Sequence, residues 1–389
     1  MDYLVIARKY RPQTFSEVSG QGVVGRTLAN AIRSNRVAHA YLFTGPRGVG
    51  KTSMARILAK ALCCENGPTE KPCGVCQHCV MITDGNHPDV AEIDAARFSG
   101  VDAIRELSDG ALFSPTLARS RIYILDEVHM LSNSAWNALL KLLEEPPAHV
   151  RFIFATTEVD KVLATVLSRC QRFDFRAIDL DDIVARLREI CATEKITLSD
   201  AVLFRIARAA GGGMRDAQTM LDQLIAVSDG TVNEEDLNLL LGAARGEDLN
   251  EFLGDLLNGD AAKALAALER ISSGGVSAST LLGQLIDQVR ALLLIQTCGV
   301  TSPAVQRLGL TTATLESRAA AVTPEKVMRM AQILVASQQA LRHGVDPRLQ
   351  LELAAVRIAR LGDVLDIDGL LRRIERLERA PTGTAAHPR

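Results

Sequence analysis

Aromatic side chains make up only 4% of this 389-residue chain, which has a single tryptophan and four tyrosines. The 47% apolar fraction is therefore mostly Ala, Leu, Val and Ile, a composition that favours a helix-rich protein with one modest sheet. Excess charge is also missing: 44 basic residues against 46 acidic ones leave a formal charge of −2. A global electrostatic pull toward DNA or membrane is thereby excluded, although a local basic patch is not. No stretch approaches 18 uninterrupted apolar residues, and the opening MDYLVIARKY lacks the apolar run and small-residue cleavage site of a secretory signal. The expectation is a cytoplasmic protein with no membrane partner. Cysteine is sparse outside one place. Five of the eight fall between Cys63 and Cys79 and the rest are scattered, which is no disulfide framework; in a reducing compartment the cluster reads as metal-binding.

The length predicts two or three domains. Short apolar runs at YLFT (41–44), VAEI (90–93), IYIL (122–125), FIFA (152–155) and RFDF (172–175) alternate with helical patterns, the signature of a doubly wound α/β domain with a five-stranded parallel sheet. Strand signals stop after Ile178. We read residues 1–178 as the α/β domain with an insertion at about 63–80, 179–242 as a helical lid, 243–372 as a second all-α domain, and 373–389 as a flexible tail.

GPRGVGKT, from Gly45 through Pro46, Arg47, Gly48, Val49, Gly50 and Lys51 to Thr52, completes the pattern G-x-x-x-x-G-K-[ST] between a strand and the helical SMARILAKAL. Glycines at these positions let backbone N–H groups turn toward phosphates, Lys51 can reach the β and γ phosphates, and Thr52 can ligate Mg²⁺. The strand of IYILDE ends in Asp126, placed to hold Mg²⁺, and Glu127, a candidate general base. FIFATT delivers Thr157 to the same sheet edge, toward the γ-phosphate or the attacking water. His129 in DEVH reads as a structural or coupling residue, because no second strand-rich domain exists to complete a helicase cleft.

Cys64, Cys73, Cys76 and Cys79 offer four thiolates, enough for a closed structural zinc site. An iron–sulfur cluster is the alternative, although its usual run has different spacing; His78 or His87 could replace a thiolate, and Cys63 could compete with Cys64. Two arginines remain. Arg215 opens a helix after three glycines and is either solvated or aimed at the phosphates. Arg169 in VLSRCQRF sits just before the last strand, on the far side of its own domain from the nucleotide; it is either a surface charge or a finger reaching a neighbour's phosphates.

ARKYRPQTF (7–15), HAYLFTGPRGVGKT (39–52), the four-cysteine insertion, DEVHMLS (126–132), NALLKLLEEPP (137–147) and SRC (168–170) together resemble the gamma/tau subunits of bacterial DNA polymerase III clamp loaders, which are AAA+ ATPases. The resemblance covers nearly the whole chain. It implies an AAA+ core, a helical lid and an all-α collar that assembles a ring with delta, delta-prime and further gamma/tau copies. It implies ATP and Mg²⁺ as ligands, structural zinc on the four cysteines, a trans-acting finger at Arg169, a lid sensor at Arg215, a sheet sensor at Thr157, and an adenine-wrapping segment at Ala7, Arg11 and Pro12. It further implies that ATP lets the ring open a sliding clamp and grip primer–template DNA. Where the family carries a small polar run, this chain has AARFSG (95–100), leaving Arg97 and Arg105 as candidates for DNA phosphate contacts.

Overall fold

The computed structural model describes all residues apart from 1–3, 98, 99, 228–233, 309, 311, 342 and 363–389, so the expected tail at 373–389 lies outside the described residues. The chain divides into two compact units, Met1–Val232 and Asn233–Arg389.

In the first unit the helices are α1 (Ile6–Lys9), α2 (Gly22–Arg33), α3 (Lys51–Cys63), α4 (Gln77–Asp84), α5 (Val101–Ala111), α6 (Asn133–Glu144), α7 (Ala164–Leu167), α8 (Leu180–Glu194), α9 (Asp200–Ala209) and α10 (Met214–Val227). The strands are β1 (Ala40–Thr44), β2 (Val90–Asp94), β3 (Arg121–Asp126), β4 (Val150–Thr156) and β5 (Gln171–Asp174). All five pair in parallel, in the order β2-β3-β4-β1-β5, as the apolar runs predict.

Burial follows position in that order. The interior strand β1 is buried at every residue, whereas edge strand β2 alternates and edge strand β5 buries only Phe173. A strand covered by helices on both faces must be apolar throughout, and an edge strand need not be. On one face, Trp136 of α6 meets Phe154 edge-on at 5.5 Å, and Phe154 lies parallel to Phe152 at 5.7 Å. The consequence for function is alignment: every strand delivers its carboxyl end to one side, and residues at those ends converge.

Helices α8 to α10 pack through Leu187, Ile206 and Leu221, which are buried. Helix α1 is tied to them across most of the unit's sequence. The N–H of Ile6 donates to Asp222 Oδ1 at 3.2 Å, Lys9 Nζ lies 2.6 Å from Glu194 Oε1, and the Tyr10 hydroxyl also donates to Glu194.

Among the described residues the second unit is built from helices: α11 (Glu234–Leu241), α12 (Gly246–Asn258), α13 (Ala261–Ser273), α14 (Ala278–Cys298), α15 (Pro303–Gln306), α16 (Thr312–Ala321), α17 (Pro324–Leu341) and α18 (Pro347–Ala359). Residues 234–241, read from sequence as part of the lid, fall in this unit. Helix α14 has the length and hydropathy to cross a membrane. Leu281, Leu285, Val289 and Leu292 along it are instead buried in the unit's own core beside Phe252, Val327 and Leu351.

Candidate functional site

A cleft of 730 Å³ opens at the carboxyl edge of the sheet. Its floor is the loop between β1 and α3. Gly45, Gly48 and Gly50 have φ of 142°, 77° and 99°, and a Cβ on Gly45 would lie 2.3 Å from the Phe175 carbonyl oxygen, so the loop's path requires glycine there. Among the described residues, the N–H groups of Gly48, Val49, Gly50, Lys51 and Thr52 donate to no protein acceptor. Five unpaired donors at the start of a helix form an anion cradle. The site therefore fits the phosphates the sequence calls for.

Lys51 is only 6% exposed, and its Nζ donates to the carbonyl oxygens of Gly45 and Pro46 at 2.7 Å each. Burial pushes its ammonium down, while Glu127 and Asp126 support the charge. Gly45 and Pro46 thus serve the site by holding Lys51, and neither lines the cleft; Arg47, Gly48, Val49 and Gly50 do. Thr52 Oγ1 donates to Asp126 Oδ2 at 2.7 Å, which brings the two expected Mg²⁺ ligands together from the loop and from β3. Donors of this kind, hard oxygens beside phosphates, suit Mg²⁺.

Glu127 follows with φ 49° and ψ 45°, a left-handed conformation that is uncommon for a side chain of this kind. Its Oε2 accepts from Thr157 Oγ1 at 3.1 Å and lies 3.3 Å from His129 Nδ1. Thr157 therefore reaches the expected sheet edge, yet it contacts Glu127 and does not line the cleft. Ala7, Arg11 and Pro12 wall the opposite side, and Arg215 closes it from α10, with its N–H donating to Gly48 O at 3.3 Å. Burial, then the charge of Arg56, push the Arg11 guanidinium down, with Arg215 and Arg8 acting in the same direction. A polyanion would relieve that crowding of positive charge.

Arg169 is absent from this lining. Its Nη2 lies 2.7 Å from Glu144 Oε1, and its Nη1 donates to the Thr165 carbonyl at 2.7 Å. Arg97 and Arg105 are exposed and each faces an acid three residues earlier, Asp94 at 3.8 Å and Asp102 at 3.3 Å. Phe98 and Ser99 of the AARFSG segment lie outside the described residues.

The sulfurs of Cys64, Cys73, Cys76 and Cys79 all lie within 4.8 Å of one another. Tetrahedral zinc–thiolate bonds of about 2.3 Å place sulfurs about 3.8 Å apart, so the four residues fit a zinc ion. The segment is less loop-like than its sequence implies. Cys64 caps the end of α3, Cys76 caps the start of α4, and Cys79 lies within α4. The N–H groups of Val75 and Cys76 pull the Cys73 thiol down to about 6, favouring the thiolate. Cys63 turns away, its Sγ 3.8 Å from the Ser120 carbonyl, and burial pushes its thiol up to about 12. His78 and His87 bond to each other, Nδ1 to Nε2 at 2.9 Å, and stand outside the sulfur group.

Sequence reasoning missed Arg56 and Glu92, which line the cleft as an ion pair at 2.6 Å. Arg56 lies four residues after Thr52, and that helical spacing was the available signal.

Residues 20–179 match the family described as DNA polymerase III, delta subunit; residues 182–230 match the DNA polymerase III clamp loader subunit, ATPase lid domain; and residues 232–374 match DNA polymerase III subunits gamma and tau domain III. The chain is 39% identical over 383 residues to DNA polymerase III subunit tau of Bacillus subtilis, covering 97% of this chain and 68% of that one. It is 39% identical over 361 residues to the tau subunit of Escherichia coli, covering 92% of this chain and 55% of that one, so it spans about half to two thirds of these relatives. A solved structure of the Thermotoga maritima RuvB Holliday junction branch migration motor aligns at a TM-score of 0.45 and 16% identity, covering 64% of this chain and 79% of that one. A phosphate loop, a carboxylate pair, a lid match and a gamma/tau domain III match thus lie in one chain, and the chain belongs to the gamma/tau family of DNA polymerase III clamp-loader ATPases.

Proposed function

We propose that this chain is the motor subunit of a clamp-loading ring in the cytoplasm, assembled through its second unit with delta, delta-prime and further gamma/tau copies. ATP binding favours a ring geometry that opens the sliding clamp and grips primer–template DNA, and hydrolysis releases the closed clamp. The observation that carries this reading is the 2.7 Å bond from Thr52 to Asp126, which joins the phosphate loop to the strand bearing Glu127.

The chain's own groups divide the work. Unpaired N–H groups of residues 48–52 and the Lys51 ammonium hold the triphosphate. Thr52 and Asp126 would hold Mg²⁺, which supplies charge neutralisation at the phosphates when bound. Glu127 takes the proton of the attacking water. Thr157 and Arg215 report on the γ-phosphate from the sheet and the lid, while Ala7, Arg11 and Pro12 enclose the base. Arg169 leaves Glu144 and reaches the neighbouring subunit's phosphates. Cys64, Cys73, Cys76 and Cys79 hold a structural zinc ion. Arg97 and Arg105 are the candidates for DNA phosphate contacts.

The test is ATP turnover by the reconstituted ring, stimulated by clamp and primer–template DNA, with Arg169→Ala subunits mixed against Lys51→Ala subunits. Loss of turnover at intact phosphate loops that face Arg169→Ala neighbours supports the reading; full turnover there removes the finger from it.

A further inference from the structure

We propose that His129 is the positioning residue for Glu127, an inference that rests on the ATPase reading above. Two groups meet a single oxygen of the Glu127 carboxylate: Thr157 Oγ1 donates to Oε2 at 3.1 Å, and the His129 imidazole stands beside the same oxygen with Nδ1 at 3.3 Å. Oε1 has no protein partner among the described residues, and Glu127 lines the cleft. A carboxylate held by one oxygen keeps the other free for a proton, and its direction is fixed. That is the arrangement a general base requires, because efficiency depends on geometry before basicity.

The imidazole is itself held. Its side chain is only 9% exposed, its Nε2 lies 3.3 Å from Glu158 Oε1, and its Nδ1 lies 3.1 Å from Thr156 Oγ1. Thr156 is fully buried, and its hydroxyl oxygen also accepts the N–H of Glu158 at 3.0 Å. Glu158 is in turn paired with Lys161 at 2.8 Å. His129 therefore spans the ends of β3 and β4, with one nitrogen toward the cleft and the other toward the segment leading to Arg169. Glu127 itself sits in a left-handed backbone conformation, φ 49°, a strained position of the kind that clusters at functional sites.

A histidine that merely stapled the strand ends, through Thr156 and Glu158, would lower the melting temperature and leave kcat of the folded protein unchanged. A positioning residue serves through Nδ1. In the reconstituted ring, His129→Ala should lower kcat by about tenfold or more, the scale of one charge-assisted bond that orients a proton acceptor. KM for ATP and the affinity for a non-hydrolysable ATP analogue should stay within about twofold. His129→Asn, whose amide nitrogen takes the place of Nδ1, should keep most of the turnover. His129→Gln, whose amide reaches toward Glu158 instead, should fall with His129→Ala.

Wild-type turnover by His129→Ala, a loss confined to KM, or equal turnover by the Asn and Gln variants would each overturn the proposal. Should His129→Ala melt early, the Asn and Gln comparison at matched melting temperature decides. Absence of turnover in the wild-type ring overturns the ATPase reading and this one with it, whereas normal wild-type turnover with an indifferent His129 overturns only the positioning role.

Discussion

Arg169 and Glu144 form an ion pair at 2.7 Å, with side chains 33% and 51% exposed. A pair this open to solvent contributes no more than about 1 kcal/mol, so the guanidinium can be taken from Glu144 by a stronger anion such as a neighbour's γ-phosphate.

The first prediction separates the two partners. Glu144→Gln should change unfolding free energy by under about 1 kcal/mol and leave neighbour-dependent ATP turnover intact. Arg169→Ala should be equally mild in the isolated chain, yet lower turnover at the adjoining site by ~10³-fold or more. Denaturant titration and ring turnover, read side by side, check it; a stability loss that tracks the turnover loss would show Arg169 to be structural.

Zinc removal should act on stability before it acts on chemistry, since the four sulfurs stand within 4.8 Å of each other and leave no open position. Cys76→Ser should lower the metal content measured by elemental analysis from one zinc per chain and destabilise the first unit by about 3 kcal/mol or more. Iron in the native protein, or an unchanged melting temperature in metal-free protein, would contradict this.

Asp89 supplies a pH dependence. Its fully buried carboxylate accepts the N–H groups of Thr116, Leu117 and Ala118 at 2.7, 2.7 and 2.9 Å, with Arg121 at 3.6 Å. Burial works to raise its pKa, but these donors prevail and hold it below the usual carboxylate range. A depressed folded value means stability that is complete above the unfolded pKa of about 3.9 and lost as pH falls through the folded value. Asp89→Asn should cost about 2 to 4 kcal/mol at pH 7, because N–H donors lose an acceptor in the interior. The difference from wild type should shrink progressively below about pH 4, as urea unfolding across pH would register.

Gly45→Ala should fail for a steric reason. Its Cβ would stand 2.3 Å from the Phe175 carbonyl oxygen, at a φ of 142°. We expect a loss of about 2 kcal/mol or more in stability together with weakened nucleotide binding, because Lys51 is held by the Gly45 carbonyl. Calorimetric titration of ATP after matched thermal melts tests both halves. Gly22→Ala, which meets nothing within 4 Å, is the control.

Much of this fold was legible in the chain because its signals are local. Five apolar runs gave five parallel strands, and the glycine spacing of residues 45–52 gave the cradle. The links that tie the site together were not legible, because they join residues with no fixed spacing. Thr157 to Glu127, His129 to Thr156 and Arg169 to Glu144 depend on strand order and on where each strand stops. Arg56 carried a helical signal, four residues past Thr52, but its partner Glu92 lies on the edge strand β2, at no fixed spacing from it. Helical periodicity likewise gave α4 no warning, since metal-ligand spacing dominated the reading of Cys76 and Cys79.

The attachments of α1 have a consequence for synthesis. Ile6 and Tyr10 find their partners at Asp222 and Glu194, close to the far end of the first unit. Those contacts cannot form until about half of the chain or more has been made, so the segment translated early is seated late. Until then the cleft wall carrying Ala7, Arg11 and Pro12 is not in place, although the phosphate loop has already been made.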